Sequence, residues 1–193
     1  AFANAGIDAV YVPFLPASFD DFLSFADALG IDGASVTVPY KIDALRVAVH
    51  ADALSNDVGA ANTLRRTDAG FDAANTDVAG FLAPLEARYP GGLTGMRASV
   101  LGAGGSARAA VAGLRARGAR VTVHARRLEQ ARALAESFGV DVGAWPVAGG
   151  TWDLLVNTTP AGSATARDLS PLPGGPFTGT LVYDLTYRLP GEA

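Results

Sequence analysis

Hydrophobic positions in the second half of the chain alternate between two periods. "RASVL" (97–101) and "RVTVH" (120–124) alternate or run apolar as strands do. "SARAAVAGLRAR" (106–117) and "LEQARALAESF" (128–138) repeat their apolar positions at helical spacing, and Gly118 and Gly139 follow them as stops. Apolar runs at "DLLVN" (153–157) and "TLVYDL" (180–185) complete the series. Strands alternating with helices predict a parallel sheet covered by helices.

The first half has a different rhythm. Ala9–Phe14 ("AVYVPF") reads as a strand. Ser18 reads as an N-cap, with Asp20 and Asp21 in the first turn of a helix carrying Phe22, Leu23, Ala26 and Leu29, and Gly30 ends it. Ser35–Val38 is an expected strand, with Val36 and Val38 turned to the core and Ser35 and Thr37 to the other face. Pro39 stops it. "IDALRVAVHADAL" (42–54) has one helical look, which puts His50 on a helix surface. Asn62–Ala74 reads as a hairpin turning at Thr67–Gly70, and Thr76 or Asp77 can cap a helix running to about Tyr89. "PGG" at 90–92 is the clearest break. The fold class that follows is two-domain α/β, with one α/β domain over 1–90 and a Rossmann-like domain over 91–193.

Composition narrows the functional classes. With 193 residues, 49% of them hydrophobic, the chain can build a real core. The net charge of −4 and the scattered arginines lack the basic block that a nucleic-acid binder needs. There is no cysteine, so disulfides and thiolate metal sites are excluded, which suits a reducing, cytoplasmic setting. No apolar run approaches the roughly 20 residues of a membrane span. The opening "AFANAGIDAV" has neither signal-peptide pattern nor starting methionine, and the sequence reads as an internal fragment.

"VLGAGGSARAA" (100–110) carries the chemistry of the second half. Gly102, Gly104 and Ala107 form G-x-G-x-x-A between a strand and a helix. Gly102 permits a tight turn, Gly104 lets a pyrophosphate approach the backbone, and Ala107 lets helix and strand pack closely. The helix N-terminus offers free N–H groups to phosphate. The next strand ends "VTVHARR". It has no carboxylate for ribose hydroxyls, and Arg126 and Arg127 suit a 2′-phosphate, which favours NADP over NAD. The plainer alternative for both arginines is solvated surface charge. His124 reads as a strand-end residue rather than a catalyst.

In the first half three polar stretches sit at strand ends or turns: Ser35, Thr37 and Lys41; "GAANT" with Asn62; and "ANTD" with Asn75, Thr76 and Asp77. A lysine and an aspartate can together move a proton. Asp77 as a mere N-cap, Asn62 as a turn former and Lys41 as a solvated charge are the competing roles.

Six segments together resemble the shikimate dehydrogenases: "SVTVPYK", "GAANTL", "NTDVAGF", "GAGGSARA", "NTTPAG" and "YDLTY", in the order of that family and over nearly the whole chain. The resemblance implies NADPH-dependent reduction of 3-dehydroshikimate to shikimate in aromatic amino-acid biosynthesis, by a monomer or homodimer acting on a small molecule with no nucleic acid or membrane involved. It implies a substrate-binding role for residues 1–90 and NADP binding for 91–193. It puts Lys41 and Asp77 on the catalytic pair and Ser35, Thr37, Asn62 and Tyr187 on substrate positions. Gly104, Gly105, Ser106 and Ala107 fall on the pyrophosphate loop and Arg126 on the 2′-phosphate contact. Thr158, Thr159, Pro160 and Leu185 fall beside the cofactor. Ser35 stands where asparagine is more usual, and Ala125 and Arg127 depart from the family's N-R-T. The family's paired serines and its substrate-contacting glutamine would lie before residue 1 and after residue 193. Alternatives are a quinate or aminoshikimate dehydrogenase, a folate-type dehydrogenase, the dehydrogenase part of a bifunctional dehydratase–dehydrogenase, and a non-enzymatic NADP-binding regulatory module.

Overall fold

Capping chemistry fixes where the first helix begins. In this computed structural model, which describes residues 2–163, 166–172 and 179–186, Ser18 is extended and its Oγ accepts the Asp21 N–H at 3.1 Å. Helix α1 (Phe19–Ala28) follows, with Asp20 and Asp21 in its first turn and Gly30 left-handed just past its end. Its Phe19 and Phe22 rings lie 5.4 Å apart. The described residues up to Asp32 form one compact unit and those from Gly33 a second. Within the first, Ala9–Phe14 forms no strand. A strand is defined by its ladder, and this segment has no ladder partner among the described residues.

The second unit contains two sheets. The first comprises β1 (Gly33–Ser35), β2 (His50–Ala51), β3 (Thr63–Thr67) and β4 (Gly70–Ala74), in the spatial order β1-β3-β4-β2. The hairpin β3–β4 is antiparallel in the register Thr63↔Ala74 to Thr67↔Gly70. β1 is shorter than its alternation predicts. The ladder ends just beyond Ser35, where the Val36 N–H donates to Asn62 O at 2.7 Å, and the chain then turns through Thr37–Tyr40. Alternation holds only while a ladder lasts, so Val38 is 73% exposed instead of filling the core. The stretch expected as one helix is interrupted: α2 (Lys41–Arg46) stops, His50–Ala51 pairs parallel with Asp72–Ala73, and α3 (Ala53–Val58) restarts. Asp52 is the restart signal, accepting the Ser55 N–H at 2.6 Å. His50 is therefore an exposed strand residue, not a helical one.

Helix α4 (Asp77–Arg88) leads from the hairpin to the second sheet. That sheet comprises β5 (Arg97–Leu101), β6 (Arg120–His124), β7 (Asp141–Val142), β8 (Leu154–Asn157) and β9 (Leu181–Asp184), with α5 (Gly105–Ala116) and α6 (Leu128–Phe138) as crossovers. All its strands are parallel, in the order β7-β6-β5-β8-β9. The winding direction reverses between β5 and β8, which is the topological switch point of a doubly wound sheet. Val100, Val123, Leu154 and Val156 pack with Val111 and Leu114 of α5 and with Phe81, Leu82 and Leu85 of α4 in one buried core. Gly113 permits the close approach of α5 to α4, because a Cβ there would lie 3.1 Å from Leu82 Cγ. His124 is buried, bonded to Ser99 Oγ (3.1 Å) and Ala144 O (2.8 Å), and burial lowers its pKa. That is a structural histidine, as its strand-end position predicts.

Arg97 and Asp153 staple the starts of β5 and β8: the Arg97 backbone N–H and Nε donate to Oδ2 (3.0 and 3.2 Å) and Nη2 to Oδ1 (2.7 Å). Hydrogen bonds from the Arg97 side chain, then from its backbone N–H, hold the Asp153 carboxyl at about 2, against an ordinary 3.8. A depressed carboxylate contributes stability above its ordinary pKa and loses it as pH falls through the lowered one. The pair is at the surface, so the effect is small. Asp153→Asn is expected to lower Tm slightly at neutral pH. Thermal melts should show that deficit shrinking as pH falls from about 4 towards 2.

Candidate active site

Three elements of the first sheet's neighbourhood bring Lys41, Asn62 and Asp77 together. Lys41 opens α2, and its carbonyl accepts the Ala61 N–H at 2.8 Å, which holds the "GAANT" segment beside it. Asn62 precedes β3 and is fixed to the end of β4 by its N–H bond to Ala74 O (3.1 Å). Asp77 is the first residue of α4. The Lys41 ammonium lies 2.7 Å from Asp77 Oδ2, and Asn62 Nδ2 donates to Asp77 Oδ1 at 2.8 Å. Lys41 is buried, with its side chain 10% exposed, while that of Asp77 is 25% exposed. This is a largely desolvated charge pair in which Asp77 is the more exposed partner.

Asp77 does not cap its own helix. Asn75 does so: its Oδ1 accepts the N–H groups of Asp77 (3.0 Å) and Val78 (3.3 Å), while its Nδ2 donates to Ala60 O (2.8 Å). With the cap supplied by a neighbour, both Asp77 oxygens are free for Lys41 and Asn62. The N-cap reading of Asp77 is therefore corrected. Asn62 is more than a turn former, since its Nδ2 also donates to Thr76 Oγ1 (2.9 Å) and its Oδ1 accepts the Thr76 N–H (2.9 Å). Ser35 and Thr37 are exposed on the segment between β1 and α2 that delivers Lys41.

The glycine turn sits at the C-terminal edge of the second sheet. Gly102 has φ +112°, a conformation that favours glycine, and a Cβ there would meet Thr158 Oγ1. Gly104 is extended and nothing lies within 4 Å of where its Cβ would stand. Gly104 is the N-cap residue of α5, whose first N–H groups have no intrahelical acceptor. Ala107 is fully buried against the sheet. Arg126 and Arg127 are exposed just past β6. Thr158, Thr159 and Pro160 follow β8, and Leu185 follows β9, so all these residues share one edge. The Thr158 hydroxyl donates to Leu101 O (2.6 Å), that of Thr159 to Asn157 Oδ1 (2.7 Å), and the Leu185 N–H to Asn157 O (3.0 Å). Tyr187 lies outside the described residues.

The two polar groups meet through Lys41. Its ammonium makes a long contact, 3.4 Å, with the hydroxyl of Ser106 in the first turn of α5. Arg108, two residues on, donates from Nη1 to Val58 O at the end of α3 (3.2 Å), and burial pushes its guanidinium below the usual range. Arg108 is a tie between α3 and α5 that no motif announced. Composition also marks the site. Lys41 is the only lysine of the chain, the other fourteen basic residues being arginine. An ammonium can give up its proton where a guanidinium cannot.

A parallel sheet wound about a switch point and opened by this glycine turn defines the chain as a Rossmann-type α/β protein. Residues 1–64 match the family of the shikimate dehydrogenase substrate binding domain. The shikimate dehydrogenase (NADP(+)) of Nostoc sp. is 34% identical over 97% of this chain and 71% of the relative. That of Anaeromyxobacter dehalogenans is 46% identical over 74% of this chain and 51% of the relative. The structure of Thermus thermophilus shikimate 5-dehydrogenase in complex with NADP(H) and shikimate superposes with a TM-score of 0.78, at 31% identity, over 97% of this chain and 71% of that one. The chain belongs to the shikimate dehydrogenase family. It spans 51% and 62% of the length of two of the curated relatives it matches.

Asn75→Ala removes the α4 cap and orphans the Ala60 carbonyl. Chemical denaturation is expected to show a loss of about 1–2 kcal/mol.

Proposed function

We propose that this chain forms the core of an NADP-dependent shikimate dehydrogenase that reversibly reduces 3-dehydroshikimate to shikimate. The observation that carries the reading is the Lys41–Asp77 pair at 2.7 Å, braced by Asn62 and set against the first turn of α5. Residues 1–90 are the substrate-binding part and 91–193 the cofactor-binding part. A cytoplasmic setting suits a chain without cysteine. Among the described residues no helix is long and apolar enough to cross a membrane.

The residues at the sheet edge fit a phosphorylated dinucleotide. Space in front of Gly104, the unpaired N–H groups opening α5 and two exposed arginines past β6 supply, in order, a cradle, a dipole and a counter-charge. Gly102, Gly104, Gly105, Ser106 and Ala107 would hold the pyrophosphate. Arg126 and Arg127 would hold the 2′-phosphate, and Thr158, Thr159, Pro160 and Leu185 would border the nicotinamide. When bound, the dinucleotide supplies or accepts the hydride.

Lys41 and Asp77 handle the proton. In reduction, Lys41 Nζ gives a proton to the oxygen of the forming alkoxide, so the carbonyl oxygen becomes a hydroxyl and the ammonium a neutral amine. In oxidation the amine takes that proton back. Asp77 accepts a hydrogen bond from the same hydroxyl and keeps the lysine in place. Ser35, Thr37 and Tyr187 offer hydroxyl groups to the polyol ring, and Asn62 fixes the Asp77 carboxylate beside it. Holding the two reactants in one orientation carries a large share of the rate.

Lys41→Ala in the full-length protein is expected to lower kcat by about 10²–10⁴-fold while NADPH still binds. Steady-state kinetics with shikimate and NADP, together with NADPH fluorescence titration, measure both quantities. Near-normal turnover would remove Lys41 from the chemistry. Arg126→Ala is expected to raise the KM for NADPH by about 10–100-fold, through loss of charge-assisted bonds, and to leave that for NADH unchanged. Equal effects on both cofactors would reassign the arginine to the surface.

A further inference from the structure

The three glycines of the turn have different physical reasons. Gly102 needs its positive φ, and Gly104 faces open space. Gly105 has neither feature. It is the first residue of α5, with no positive φ, and any residue adopts its backbone. Yet a Cβ built on it would lie 2.9 Å from Lys41 Cδ, 3.0 Å from Lys41 Cβ and 3.4 Å from Lys41 Cγ. Carbon atoms pack at roughly 3.5–4.0 Å. The three nearest neighbours of that missing Cβ are all carbons of one side chain, the stem of the chain's only lysine.

We infer that Gly105 is a positioning residue for Lys41. The bare α-carbon opening α5 leaves a groove in which the lysine stem lies, and the stem's path across it brings the ammonium to Asp77 Oδ2. Part of the conflict falls on Cβ and Cγ, near the backbone of α2, so rotation at the far end of the lysine cannot relieve it. A methyl at Gly105 displaces the stem as a whole, and with it the ammonium. One glycine of the dinucleotide turn therefore serves the proton-transfer pair. The inference rests on the reading of Lys41 as proton donor, but the contact on which it is built can be tested apart from that reading.

The test compares Gly105→Ala with Gly104→Ala in the full-length protein. Three quantities are measured: kcat, the NADPH Kd, and the rate at which an amine-directed acylating reagent labels Lys41, read by peptide mapping. Gly105→Ala is expected to lower kcat about 10–100-fold, to weaken NADPH less than Gly104→Ala does, and to speed Lys41 labelling as the ammonium leaves Asp77. Gly104→Ala is expected to weaken NADPH and to leave the labelling rate unchanged. Gly105→Ala that weakens NADPH as Gly104→Ala does, with unaltered labelling, would overturn the inference and return Gly105 to the pyrophosphate alone. Thermal melts of a double-mutant cycle with Lys41→Gly, which removes all three contacted carbons, add a readout independent of turnover. The Tm deficit of Gly105→Ala should vanish in the Lys41→Gly background. A deficit that persists there contradicts the inference. If Lys41→Ala retained turnover, the catalytic reading would fail while labelling and the melting cycle still reported the contact.

Discussion

A lysine ammonium and an aspartate carboxylate 2.7 Å apart, mostly out of water, impose conditions on everything around them. Taking charges out of water is costly unless each is paired and hydrogen-bonded. Here one Asp77 oxygen takes Lys41 and the other takes Asn62. Asn62 is held in turn by Thr76 and by the end of β4, and Asn75 takes over the capping duty that Asp77 would otherwise serve. Five polar side chains from "GAANT" and "ANTD" thus form one network, Thr63 donating to Asn62 Oδ1 at 3.2 Å, and its centre is the Asp77 carboxylate. The short first sheet exists, in functional terms, to bring those two segments together.

The second sheet imposes a different constraint. Its parallel strands place every βα loop on one edge, so the glycine turn, the arginines past β6 and the threonines past β8 converge without touching in sequence. Thr158 lies so close to Gly102 that a side chain there would collide with it. The turn is therefore shaped by its neighbour loop as well as by its own backbone. Helix α4 connects the two arrangements, with Asp77 at its start and Phe81, Leu82 and Leu85 packed among β5, β8 and α5. The stacking of Phe81 on Tyr183, 5.2 Å apart, extends that contact to β9.

Most of the second half was legible because its elements are long and periodic: β5, α5, β6, α6, β8 and β9 fall where the pattern puts them. Among the described residues of that half, two-residue β7 escaped, being too short to show a period. The first half was less legible because its elements are brief and set by partners distant in sequence. Val36 and Val38 alternate perfectly, yet the ladder runs out before Val38. His50–Ala51 is a strand solely because Asp72–Ala73 pairs with it. In the site, the residue types of Lys41, Asn62 and Asp77 were readable, and their meeting was a matter of folding. Asn75 as the cap, Arg108 as a tie and the Lys41 stem on Gly105 depend on distances that spacing does not encode.

In the proposed reaction Lys41 and Asp77 act together on one hydroxyl of a shikimate-like ring. A crystal structure of the full-length protein with shikimate and NADP tests it most directly. One ring hydroxyl is expected within hydrogen-bond reach, about 2.6–3.2 Å, of both Lys41 Nζ and an Asp77 carboxylate oxygen. A ring bound with that hydroxyl away from the pair, and another side chain in its place, would contradict it.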